Sequence, residues 1–292
     1  MVPAPIRTIT TIDEMRALVA RARAEGKRIA LVPTMGALHA GHVELVRTAL
    51  AHAEVVIASV FVNPMQFGPH EDLDRYPRTP EADTETLAEL GAEAVFMPTV
   101  EEMFPDGGRS ATLVTAGHLG TVLEGRSRPG HYDGVLTIVT KLLSIVQPDA
   151  AAFGEKDAQQ LFLLRRMVRD LNLPVEILAV STVREPDGLA LSSRNALLQP
   201  GERQDALVLS RALEAAGAAA DRGVEAMLAA AQSVFQSDTG ARLDYLAIVD
   251  PATFTSAGAD HHGRVQVLIA ARVGASSAGG VRLIDNATFT IP

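Results

Sequence analysis

Cysteine and tryptophan are absent from all 292 residues. Without a thiol the chain forms no disulfide, thiolate nucleophile, zinc–cysteine site or cysteine-ligated iron–sulfur cluster. Aromatic residues make up only 4%, so a core built from the 47% hydrophobic residues has to be mostly aliphatic. Basic residues are in the minority, with Lys+Arg 26 against Asp+Glu 35 and a formal net charge of −9. That balance argues against a general surface for nucleic acid or anionic lipid and leaves room for a local basic pocket. No apolar stretch reaches the ~20 residues of a bilayer-crossing helix. The opening MVPAPIRTITTIDEM also has no apolar signal region. The expectation is a cytoplasmic protein with neither nucleic acid nor membrane as partner, folded as one large or two modest domains.

The first two-thirds of the chain alternates helical stretches with short apolar runs. Thr11 and Glu14 form a T-x-x-E capping pattern that opens a helix, and Gly26 can close it. Arg28 to Pro33 reads as a buried strand, followed by a helix from about Gly41. Val55 to Val62 is continuously apolar, which suits a parallel sheet covered on both faces. Thr79-Pro80 predicts a helix start, with Gly91 at its end and AVFM as the strand beyond. Helical patterns at Gly134 to Gln147 and Ala158 to Asp170 precede strands at Asp149 to Phe153 and Val175 to Val180. This alternation implies a doubly wound α/β domain. After about Val183 the texture changes. An alanine-rich helical stretch, Asp205 to Phe235, precedes the strand-like DYLAIV, RVQVLIAARV and VRLID, with a glycine/serine turn at Ser276 to Gly280. Helices grouped apart from strands suggest a smaller α+β domain, dividing the chain into 1–182 and 183–292.

Ligands of open parallel sheets bind beyond the carboxyl ends of the strands. Four polar, glycine-marked clusters fall there: Thr34 to His42, Asn63 to Gly68, Gly154 to Gln160 and, a loop further on, Leu191 to Asn195. They are expected to converge at one edge of the sheet. His39 and His42 sit where a loop becomes a helix, with Gly36 and Gly41 letting the backbone approach a ligand. Two imidazoles beside free helix N–H groups suit phosphate binding. A structural role for an isolated pair would be the ordinary reading, and the position after a strand favours function. No carboxylate or third histidine has the local spacing of a metal site. Lys156 in GEKD offers a compact positive charge, although the segment is not a Walker A loop. Ser192, Ser193 and Arg194 place two hydroxyls and a guanidinium together as an oxyanion clamp. Gln66 and Gln160 are neutral amides suited to a substrate's hydroxyls or carboxylate. His131, following Arg128, is expected to border the site, while the acidic pairs Glu71-Asp72 and Glu101-Glu102 read as solvated faces.

Taken together, LVPTMGALHAGH, SVFVNPMQFG, DLDRYPRT, RPGHYDGV, FGEKDAQQL, DGLALSSRN and RLIDN resemble the pantothenate synthetase (pantoate–β-alanine ligase) family, in order from about Leu31 to Asn286. H-x-G-H alone would indicate only the wider nucleotidyltransferase superfamily. The resemblance implies a Rossmann-like N-terminal domain, a smaller C-terminal lid and a homodimer. It implies ATP-dependent condensation of (R)-pantoate with β-alanine to pantothenate, AMP and pyrophosphate through a pantoyl-adenylate, with Mg²⁺ assisting. Carried onto this chain, the ATP site comprises Met35, Gly36, Ala37, Leu38, His39, Ala40, Gly41, His42, Gly154, Glu155, Lys156, Asp157, Val183, Leu191, Ser192, Ser193 and Arg194. Gln66 and Gln160, with Met35 and Asn63 nearby, would hold the substrates. His42, His39, Lys156 and Arg194 would act in catalysis. Ala158 and Ala40 depart from the family's usual aromatic and acidic residues at those flanking positions. The nearest alternative is a nucleotidyltransferase of the same superfamily that acts on a phosphate acceptor. The neutral glutamine pair favours a carboxylate substrate instead.

Overall fold

Strands β1 (Arg7–Ile9), β2 (Ile29–Thr34), β3 (Val55–Val60), β4 (Ala94–Phe96), β5 (Ala150–Gly154) and β6 (Glu176–Val180) pair in parallel in the order β1-β4-β3-β2-β5-β6. They belong to a computed structural model that describes residues 6–69, 71–237, 240–274 and 280–292. The chain divides into two compact units, one of Met1–Glu155 with Leu163–Ser181 and the other of Lys156–Phe162 with Thr182–Pro292.

In the first unit the sheet is apolar on both faces, as its continuous runs require. Ala30, Val32, Val56, Ala58, Ala150 and Ala152 pack with Leu45, Val46, Ala49 and Leu87 of helices α2 (Ala40–Leu50) and α3 (Pro80–Leu90). The alternate residues Leu31, Ile57 and Ala151 are fully buried on the other side. Helix α1 (Ile12–Ala24) starts where the capping pattern predicts, with Thr11 Oγ1 accepting from the Glu14 N–H. Short helices α4 (Val100–Met103) and α5 (Glu124–Ser127) precede the long α6 (His131–Val146). Helix α7 (Ala158–Asp170) has the predicted limits, yet its first turn falls in the second unit. The three-residue edge strand β1 was not foreseen, because Ile9 is its one buried residue and no periodicity marks it.

Chain order reverses between β2 and β5, so their carboxyl ends flank the crevice where doubly wound sheets take ligands. Thr34 pairs with Val60, which aligns the end of β2 with the end of β3.

The second unit has an antiparallel sheet, β7 (Ala241–Val249), β8 (Gly263–Val273) and β9 (Val281–Ile291), in that order. Val265, Val267, Ile269 and Ala271 of β8 bury one face with Leu209, Leu213, Met227 and Phe235. The alanine-rich stretch is three helices rather than one: α8 (Pro200–Ala206), α9 (Val208–Gly217) and α10 (Val224–Gln236). Gly223, at φ +87°, forms the break before α10 in a conformation that side-chain-bearing residues rarely adopt. The glycine/serine turn lies, except for Gly280, outside the described residues.

Candidate active site

The turn leaving β2 is held from beneath by one buried carboxylate. Ala37 N–H donates to Asp83 Oδ2 at 3.0 Å, and Leu38 N–H donates to Asp83 Oδ1 at 2.8 Å. Thr79 Oγ1 donates to the same Oδ1, while Thr34 Oγ1 accepts from the Gly36 N–H and donates to the Ser59 carbonyl. Asp83 is 2% exposed. Its two N–H partners force the backbone through a tight bend in which Gly36 (φ +85°) and Ala37 (φ +51°) are both left-handed. A Cβ on Gly36 would lie 2.9 Å from both Asp83 Oδ2 and Val60 Cγ1, so this glycine serves the scaffold as well as access.

His39 and His42 then form the start of α2. His39 Nδ1 accepts the Gly41 N–H, and His42 Nδ1 accepts the His39 N–H, each at 3.2 Å. These are the two halves of a capping box, made by imidazoles in place of the usual serine and glutamate. The ring centroids lie 4.1 Å apart. An Nδ1 that accepts an N–H carries no proton, so the neutral ring bears its proton on Nε2 and acts as a donor there. The cap therefore sets the tautomer of both histidines. Gly41 proves to be needed for this packing, since a Cβ there would sit 2.9 Å from His39 Cε1.

Three of the four expected substrate residues come together beyond β3. Asn63, 1% exposed, donates to Gln66 Oε1 (3.2 Å) and to the Gly134 carbonyl (3.1 Å), while Oδ1 accepts the Met65 N–H. Gln66 Nε2 in turn donates to Met35 Sδ at 2.9 Å. The Gln66 carbonyl accepts from His131 Nδ1 at 2.9 Å and from Arg128 at 3.4 Å. Arg128 makes a bidentate pair with Glu71 at 2.8 and 2.6 Å and also donates to His131 Nε2. Burial, reinforced by the Arg128 charge, pushes the His131 pKa down to about 4, so it is a neutral buried donor. Burial also acts to raise the Glu71 pKa, but the bonds from Arg128 outweigh it and hold the carboxyl below its usual value. Glu71 is thus an ion-pair partner rather than a solvated face. Glu102 likewise accepts the Ile12 N–H at 2.7 Å.

The second unit carries the remaining expected residues. Leu191 N–H donates to the Val183 carbonyl at 3.0 Å, closing a hairpin that leads into Ser192, Ser193 and Arg194. Ser192 Oγ accepts the Arg194 N–H at 3.3 Å as the cap of a short 3₁₀ turn. Lys156, half-buried, has no salt bridge among the described residues, while Asp157 is exposed. Gln160 is half-buried in the same unit. Gly154 and Glu155 end β5 in the first unit, with the Glu155 N–H bonded to the Val180 carbonyl. Ala40 is exposed and Ala158 is 7% exposed.

Two supporting groups had no role assigned from the sequence, although Asp285 and Asn286 end the RLIDN segment that carries part of the resemblance. Asp83 stands in the first turn of α3, where an acidic residue is ordinary for a helix N-terminus and marks no site. Asp285, 3% exposed, pairs with Arg184 at 2.6 and 2.9 Å, and Asn286 Nδ2 donates to the Lys156 carbonyl at 2.8 Å. Among the described residues no three His, Asp or Glu side chains gather to hold a metal, and no helix is long and apolar enough to cross a membrane.

Paired imidazole donors at a helix N-terminus, beside the switch point of a doubly wound sheet, define an α/β fold of the phosphate-binding type. The sequence pattern of the family described as Pantoate-beta-alanine ligase matches residues 7–288, and the chain belongs to that family. A pantothenate synthetase from Leifsonia xyli subsp. xyli is 53% identical over 97% of this chain and 100% of its own. The crystal structure of pantothenate synthetase from Thermus thermophilus superposes with a TM-score of 0.89 at 46% identity, covering 97% of this chain and 99% of that one. A pantoate-beta-alanine ligase from Francisella tularensis, solved with beta-gamma ATP and beta-alanine, has a TM-score of 0.78 at 32% identity and covers 97% of each chain. The chain is accordingly a ligase joining pantoate to β-alanine, and the phosphate-acceptor transferase is not favoured.

Proposed function

We propose that the ligase works through a pantoyl-adenylate, with the α2 N-terminus as its phosphate-binding end. A pantoate carboxylate oxygen attacks the α-phosphorus of ATP, the bond from that phosphorus to the bridging oxygen breaks, and pyrophosphate leaves. The carboxylate is already ionised at neutral pH, so the step needs alignment and charge stabilisation rather than a base. The β-alanine amine, in its free-base form, then attacks the acyl carbon, the bond from that carbon to the phosphate oxygen breaks, AMP leaves and the nitrogen gives up one proton to water. The observation that carries this reading is the double cap at α2: both imidazoles accept backbone N–H groups at Nδ1, which fixes the two rings at the helix N-terminus, the end of a helix that favours phosphate.

Lys156, Ser192, Ser193 and Arg194 are assigned to the same nucleotide, and Val183 and Leu191 to its main-chain contacts. Asn63, Gln66 and Met35, already bonded to one another, are assigned with Gln160 to pantoate. The donor set of imidazoles, ammonium and guanidinium suits phosphate oxygens rather than a cation. Magnesium is therefore read as part of the substrate, arriving as MgATP with phosphate and water as its ligands. Beta-gamma ATP and beta-alanine are the molecules complexed with the Francisella tularensis relative, which supports ATP and β-alanine as substrates here. The homodimer and a lid role for residues 183–292 belong to this proposal and rest on the family resemblance; the cytoplasmic location belongs to it too and rests on the sequence's hydropathy pattern. Sedimentation at the mass of two chains would support the dimer, and a single-chain mass would overturn it.

The adenylation step is tested by exchange of labelled pyrophosphate into ATP, with pantoate present and β-alanine withheld. Exchange that requires pantoate is the expected result. Lys156→Ala or His42→Ala should slow it about 10²-fold or more, the scale of loss for a removed transition-state donor. Exchange at the unsubstituted rate in either variant would take that residue out of the reaction.

A further inference from the structure

We infer that Asp285 and Asn286 of β9 are positioning residues for the nucleotide end of the site, one holding the hairpin that leads to Ser192–Arg194 and the other the main chain of Lys156. The inference rests on the role proposed above for Lys156. All of the residues concerned lie in the second unit.

Successive residues of a strand point to opposite faces, so neighbours can grip two different segments. Asp285 does so with the bidentate bond to Arg184, whose Nη1 also donates to the Gly188 carbonyl at 3.0 Å and whose Nη2 donates to the Asn286 carbonyl at 3.3 Å. Arg184 and Gly188 lie in the hairpin closed by Val183 and Leu191. The guanidinium is thereby tied both to the strand and to the turn of the hairpin.

Asn286 faces the other way. Asn286 Nδ2 donates to the Lys156 carbonyl at 2.8 Å, an acceptor that fixes the orientation of the amide and leaves Oδ1 to accept from Gln266 Nε2 at 3.0 Å. The Asn286 N–H bonds Asp285 Oδ1 at 2.7 Å, coupling the two grips. Asn286 is 7% exposed, so its amide does not trade these partners freely for water. The Lys156 ammonium has no salt bridge among the described residues, so no ion pair anchors the side chain. The position of that charge is set through its main chain, and Asn286 is the side chain that holds it. Errors of an ångström in such placement cost rate out of proportion to the bond lost.

The test is a double-mutant cycle on the full chain, read by pantoate-dependent pyrophosphate exchange with separate KM values for ATP and pantoate. Asn286→Ala is expected to lower kcat by about 10- to 10²-fold and to leave the KM for pantoate unchanged. In a Lys156→Ala background the same substitution should cost less than about twofold, because nothing remains to be positioned. Asp285→Asn should show the same cancellation against Arg184→Ala. Equal losses in both backgrounds would make Asn286 a structural residue and overturn the inference, as would a fully active Asn286→Ala. Where Asn286→Ala melts at assay temperature, Asn286→Leu keeps the volume, and Gln266→Leu frees the amide without altering β9. Normal exchange by Lys156→Ala is a different failure, since it removes the proposed role of Lys156 itself.

Discussion

His131 shows what one buried ring contributes. Its Nδ1 proton is committed to the Gln66 carbonyl and its Nε2 accepts from Arg128, so a second proton would have no acceptor and would face a cation. The folded-state pKa of about 4 lies below the ordinary 6.5. The unfolded chain therefore binds the proton first as pH falls. The contribution is fully present above pH 6.5, is lost progressively down to about 4, and amounts to roughly 3 kcal/mol at about 1.4 kcal/mol per unit. Urea unfolding of His131→Asn should lose most of the pH dependence between 6.5 and 4.5, and an unchanged slope would contradict this origin. The sequence marked His131 as a border residue because glycine and Arg128 stood beside it. It could not mark Asp83, which is bonded to a backbone N–H 46 residues away. Nor could it show that Glu71 meets Arg128 57 residues on. Such pairings exist only after the strands align.

At the scale of elements, the start of α2 is the most informative. Its local signals were legible: a buried run, two glycines and an H-x-x-H spacing at a helix entry. The reason for one glycine was not, because Gly41 clears the His39 ring rather than a ligand. Replacing glycine by alanine within a helix ordinarily stabilises by about 0.5–1 kcal/mol. Gly41→Ala should forfeit that gain, since the displaced imidazole gives up a cap worth about 1 kcal/mol. Its exchange rate should fall about tenfold or more as the Nε2 donor moves. Denaturant melts and exchange assays together check this, and a stabilised, fully active variant would refute it. The continuous strands β2, β3 and β5 were readable because burial on both faces writes a run of apolar residues. The alanine-rich region was only half readable: composition announced helix, while the break before α10 depended on Gly223 reaching φ +87° and the break at Leu207 carries no such mark.

For the whole molecule, the sequence suggested one boundary near residue 183, and the repeated crossing of the chain between its two compact units left no mark in it. Composition changes once along the sequence. The backbone passes from one unit to the other at residues 155/156, 162/163 and 181/182. Helix α7 is thereby divided, its first turn packing Phe162 on Phe254 with ring centroids 5.0 Å apart, and its remainder belonging to the sheet. A continuous helix rarely melts at half its length, because its hydrogen bonds form cooperatively. Calorimetry of the ligand-free chain is expected to give one transition with matching calorimetric and van't Hoff enthalpies. Two resolved transitions would show that α7 does not link the units.

That divided helix also constrains inheritance. A single crossover near residue 182 between two genes of this family would join the Lys156 of one parent to the Asn286 of the other, and Phe162 to a foreign Phe254. Recombinants that preserve both contacts have to exchange residues 156–162 together with everything after 181. For this chain the segment that travels as a unit is discontinuous in the gene, and the seven residues set apart from the rest of it carry the lysine.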